Sequence, residues 1–128
     1  MQRLLKGYSA GRGAFPAGLG VVVEENGSVV HSESKQVYLE ETSYAEFEAL
    51  VLLARWINGR GVRKCVICAG DEVIGRASKK YKGNEDSYKK ESVEEIRSLL
   101  KGITVTWKRI SNGKNKAVRL ATEARKGL

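Results

Sequence analysis

The chain has 128 residues, 41% hydrophobic and 30% charged, with a formal net charge of +8 at pH 7. That is one domain's worth of chain with enough apolar residues for a single core, and one Pro with no dominant residue type excludes a low-complexity tail. The longest apolar run, Ala49 to Ala54, is far too short to span a bilayer, and two Cys with one His cannot build a four-ligand zinc site from those types alone.

In chain order, Met1–Tyr8 holds no basic-then-apolar leader, which predicts a soluble, intracellular, cytoplasmic protein. Arg3–Tyr8 reads as a first strand, followed by a loop at Gly11, Gly13 and Pro16. Gly18–Glu25 reads as a second strand around Val21, Val22 and Val23. Asn26-Gly27 is a strong type I′ hairpin signal, because both residues tolerate positive φ, and Ser28–Ser34 is the return strand. Ser43–Ile57 reads as a helix apolar nearly all round, hence buried, and ended by Gly59. Ser43 stands three before Glu46, a capping-box spacing in which Glu46 bonds back to the cap residue.

Lys64–Ala69 is a short apolar run between glycines, predicting a buried strand parallel to the sheet. Its Cys65 and Cys68 have C-x-x-C spacing, but three apart on a strand they point to opposite faces, so buried thiols are expected rather than a redox pair. Asp71–Lys80 reads as a short helix and Tyr81–Asp86 as a polar break. A second helix starts at Ser87 or Ser92, carries Val93, Ile96, Leu99 and Leu100 inward, and stops at Gly102. Ile103–Trp107 alternates at period two and reads as the last strand. Ser111–Lys114 is a loop, and Lys116–Lys126 a terminal helix with Ala117, Leu120, Ala121 and Ala124 inward. The order is βββαβααβα, a single α/β domain over residues 1–128.

Charge is uneven along this order. Residues 1–59 hold five Lys/Arg against seven Glu, and residues 60–128 hold eighteen Lys/Arg against eight acids. A basic half is the footprint expected of a nucleic-acid partner. Asp occurs only twice, at Asp71 and Asp86, against thirteen Glu, which limits any Asp-based Mg²⁺ site.

Four segments, in order, carry a family resemblance. Pro16-Ala17-Gly18-Leu19-Gly20-Val21-Val22 looks like a Pro-x-Gly-x-Gly start of a second strand. Ala45-Glu46-Phe47-Glu48-Ala49-Leu50 looks like an Ala-Glu-Tyr-x-Ala-Leu helix opening. Val66-Ile67-Cys68, Val73-Ile74 and Tyr81-Lys82-Gly83 look like a strand–helix–Tyr-Lys segment. Lys116 to Ala124 looks like an Ala-Asp-x-Leu-Ala helix. Together they resemble the ribonuclease H family across nearly the whole chain. The resemblance implies a mixed five-stranded sheet, three antiparallel strands then parallel additions, with helices on both faces. It also implies cleavage of the RNA strand of RNA–DNA hybrids by two Mg²⁺ held by three Asp and one Glu. Two divalent ions about 4 Å apart need such clustered carboxylates.

Carried over by position, the Glu is Glu46. The three Asp positions fall on Gly7, Ala69 and Val118, none of which ligates a metal through its side chain. A gap could bring in Asp71 as a second carboxylate, still half a cluster. The family's helper His before the last helix has no counterpart in Ile110–Lys114, and the only His, His31, falls mid-strand. The expectation is a pseudoenzyme without cofactor, with Mg²⁺ or Mn²⁺ engaged only by a residual hybrid endonuclease on Glu46 and Asp71.

Two basic clusters remain for nucleic acid, be it RNA–DNA hybrid, RNA or DNA. One is Arg76, Lys79, Lys80, Lys82, Lys89 and Lys90, interleaved with Tyr81 and Tyr88; the other is Trp107, Lys108, Arg109, Lys114, Lys116 and Arg119. The first reads equally as a solvated face. The resemblance places the second near the family's active-site rim, where Val118 beside Lys116 and Arg119 in place of an Asp implies a more positive edge that holds a phosphate without metal. An interaction module, with a protein partner or self-association through an exposed sheet edge, is the alternative.

Overall fold

Asn26 and Gly27 set the first hairpin. Their φ angles of 51° and 86° are those of a type I′ turn, joining β2 (Ala17–Glu25) to β3 (Ser28–Val37). The Asn26 side chain accepts the Leu4 amide at 3.2 Å, tying the turn to the start of β1 (Leu5–Gly13). The computed structural model describes residues 4–79 and 86–127. β1, β2 and β3 form an antiparallel meander, and β4 (Lys64–Ala69) and β5 (Thr104–Arg109) add in parallel beside β1. The sheet order is β3-β2-β1-β4-β5.

Three helices, α1 (Tyr44–Ile57), α2 (Asp71–Ala77) and α3 (Ser87–Leu99), cover one face, and α4 (Val118–Arg125) covers the other. β2 is apolar from Ala17 to Val23 because both its faces are covered: Val21 and Val23 enter the core under α1, and Val22 enters the one under α4. The α1 core centres on Phe47, Leu50, Leu53, Ile67 and Ile96, all fully buried, each worth about 1.5–3 kcal/mol relative to exposure. Cys65 and Cys68 point to opposite faces, one into each core, and neither is disulfide-bonded. Burial pushes the Cys65 thiol up to about 11 and raises that of Cys68. No helix among the described residues is long and apolar enough to cross a membrane.

Several boundaries move for physical reasons. β1 continues through Gly11 to Gly13, where a loop was expected, because both glycines stay in the ladder opposite Leu19 and Ala17. β3 runs on to Val37 as the partner of Ala17. α3 starts at Ser87 because Asp86 accepts the amides of Tyr88 and Lys89, at 2.8 and 3.3 Å. α4 starts at Val118, two residues late, because the Asn115 side chain takes the Ala117 amide at 2.9 Å. The expected Ser111–Lys114 loop contains a 3₁₀ turn over Asn112–Lys114. The capping box is overturned: Ser43 is in the α region and makes no side-chain cap hydrogen bond, and the Glu46 carboxylate turns instead toward Gly70.

Candidate nucleic-acid interface and carboxylate pocket

The ends of β1 and β4 meet the first turn of α1. Gly11 is pressed against the Ala45 carbonyl and the Glu46 amide, and any Cβ there would overlap the helix backbone. Gly70, just after β4, lies against the Glu46 carboxylate in the same way. Burial raises the Glu46 carboxyl above its ordinary pKa; Glu72 adds to this, Arg12 opposes it, and Asp71 adds to it.

The two acids nearby already have partners. Asp71 pairs with Arg109 at 3.3 Å, with both side chains in solvent. Glu72 pairs with Lys89 at 2.9 Å and with Arg76 at 3.2 Å. Burial works against the ionised form of Glu72, but these two cations outweigh it and hold the carboxyl below its usual range. Among the described residues, no three His, Cys, Asp or Glu side chains form a group able to hold a metal ion.

The positions carried over from sequence are only partly brought together. Gly7 packs against Leu53, about two helical turns along α1 from Glu46. Ala69 is buried in the α1 core, and its neighbour Gly70 is the residue that meets Glu46. Val118 packs with Tyr8, Cys68 and Ala121 on the opposite face of the sheet. Between Gly7 and Gly11, on the same face, lies Ser9, whose hydroxyl is buried without a hydrogen-bond partner among the described residues. Its carbonyl accepts the Asn115 side chain at 2.9 Å. Sequence reading overlooked Ser9, Asn115 and Arg12, since nothing in their local patterns announces contacts made across the fold.

Of the first basic cluster, Arg76 and Lys89 are drawn onto Glu72, and Lys89 also sits 5.7 Å from the Phe47 ring. Tyr88 stacks on Tyr44 at 4.0 Å and donates its hydroxyl to Glu48. Lys79 and Lys90 are exposed, while Lys80, Tyr81 and Lys82 lie outside the described residues. In the second cluster, Trp107 packs against the α1 core; Lys108, Arg109, Lys114, Lys116 and Arg119 are exposed. Lys116 pairs with the buried Glu24, and Arg119 with Glu123 at 2.9 Å. Lys108 and Lys114 have no ion-pair partner among the described residues, so they are the rim's uncommitted cations. His31 is a structural strand residue, stacked on Trp56 at 4.9 Å and bonded to Glu33 at 3.0 Å.

No family model matches the chain, and no curated protein does. Solved structures do. The N-terminal RNase H domain of Rv2228c from Mycobacterium tuberculosis, solved as a fusion with maltose-binding protein, superposes with a TM-score of 0.88 at 16% identity, over 98% of this chain and 96% of that one. RNase H1 of the halophilic archaeon Halobacterium salinarum gives 0.77 at 20% identity over all of both chains. LC11-RNase H1, isolated from compost, in complex with an RNA/DNA hybrid, gives 0.74 at 24% identity over 98% of each. The fold is the ribonuclease H-like fold, with the strand order and helix placement described above.

Proposed function

We propose that this chain is a non-cleaving, cytoplasmic ribonuclease H-like domain that binds RNA–DNA hybrid or structured duplex through its basic half, without a divalent metal. One observation carries the reading: where metal-binding carboxylates would have to converge around Glu46, the chain offers Gly70, Ala69 and Gly11. Asp71 and Glu72, which could have contributed, are instead paired with cations of the chain itself. This donor set does not fit a pair of Mg²⁺ ions, which are held through clustered carboxylate charge, and a single half-buried carboxyl with a raised pKa is a poor ligand. The exposed cations on β5, the 3₁₀ turn and α4 supply the positive charge that a phosphate backbone needs. The hybrid complex of LC11-RNase H1 supports the ligand class.

The test is binding and cleavage of labelled hybrid, duplex and single strands at low salt, with EDTA and with Mg²⁺ or Mn²⁺. Hybrid or duplex binding that EDTA leaves unchanged, with no cleavage, is the expected result. Metal-dependent cleavage that disappears in Glu46→Gln would overturn it. A second reading is favoured by β3, an edge strand with Val29 and Val30 exposed, which would suit a protein partner or a second copy of the chain. It predicts a defined oligomer or complex that survives nuclease treatment.

A further inference from the structure

We propose that the tip of the β1–β2 hairpin is a separate site for single-stranded nucleic acid, holding one phosphate and stacking one base. The ligand class rests on the nucleic-acid reading above; the location does not.

A cleft of about 390 Å³ opens there, lined by Arg12 and Pro16 from the tip and by Thr122, Arg125 and Lys126 from the end of α4. Three cations and a threonine line it, and no acid does. Arg125 donates Nε to the Pro16 carbonyl at 3.3 Å, which anchors its guanidinium and leaves the terminal nitrogens for a ligand. Neither Arg125 nor Lys126 is in an ion pair among the described residues. A helix C-terminus would normally oppose an anion, but Gln36 donates to the carbonyls of Ala124 and Arg125, each at 3.2 Å, and so satisfies two of the exposed oxygens.

Next to Pro16, Phe15 is 80% exposed and meets the 61%-exposed Tyr38 edge to face at 4.8 Å. So exposed a Phe does little for the core, and its free face is a platform for a base beside a bound phosphate. The track ends at Tyr38, since the next cleft, of about 400 Å³, carries Glu40 and Glu91 and would repel a second phosphate.

The experiment is fluorescence anisotropy with a labelled thymidine tetranucleotide and, in parallel, a labelled RNA–DNA hybrid. Phe15→Ala and Lys126→Glu change exposed side chains, and circular dichroism checks that both variants are folded. Each should weaken tetranucleotide binding at least about fivefold while affecting the hybrid less, and Lys114→Ala should do the reverse. Variants that bind the tetranucleotide as the parent does would overturn the site. So would a parent chain that binds the hybrid but not the tetranucleotide, with the proposed function intact. A parent that binds only the tetranucleotide supports the site and sinks the hybrid reading, and one that binds neither sinks both.

Discussion

At the scale of single residues, Glu46 is a carboxyl whose charge is opposed first by burial and then by the neighbouring acids Glu72 and Asp71. Packed against Gly70 with no cap to make, it ionises at a cost set chiefly by burial. Its folded pKa is raised, so the folded state holds the proton more tightly than the unfolded chain. The penalty is present at neutral pH and fades as pH falls through the raised value. Glu46→Gln is therefore expected to raise the melting temperature at pH 7, with the difference closing in acid where Glu46 is protonated. A melting curve at pH 7 lower than the parent's would contradict this. That Glu46 stands in the first turn of α1 was legible in the sequence, because a helix opening is a local pattern. The sequence could not show that Gly70 rather than Ala69 meets Glu46, or that Gly7 faces Leu53. Those contacts depend on how far β1 and β4 run before the sheet ends, and counting from Pro16 does not reveal it.

At the scale of elements, α4 lies directly on the sheet. Gly18 and Gly20 of β2 sit under the carbonyls of Ala121 and Ala117, so close that a Cβ at either glycine would overlap helix backbone. Asn115 locks the arrangement: buried, it donates to the Ser9 carbonyl and accepts the Ala117 amide, joining β1 to the start of α4 with one side chain. Asn115→Ala would leave a buried carbonyl and a helix-start amide unpaired. The expected loss is about 1–3 kcal/mol in urea unfolding, with the m-value unchanged. The inward face of α4, with Ala117, Ala121 and Ala124, was readable in the sequence from its periodicity. Asn115 was not, since its two partners are reached only once α4 has folded back across the sheet.

At the scale of the whole molecule, the excess of Lys and Arg beyond residue 60 is divided by the fold into committed and uncommitted cations. Arg76, Lys89, Arg109, Lys116 and Arg119 each hold an acid of the chain, whereas Lys108 and Lys114 face solvent without one among the described residues. Hybrid affinity should fall linearly with salt on a logarithmic scale, by about 0.9 per phosphate neutralised. Lys114→Ala should flatten that slope by about 1 and weaken hybrid and duplex alike; a slope unchanged from the parent's would place the phosphate contacts elsewhere. Taken alone, the sequence determined the element order, the type I′ hairpin, the opposed cysteines and the scarcity of Asp, because these follow from local periodicity, turn chemistry and composition. Only the tertiary structure decided which acids meet which cations, what faces Glu46, and that Arg12 and Arg125 share one cleft. Each of those is a meeting of residues far apart in the chain, set by sheet register and by the side of the sheet on which each helix lies.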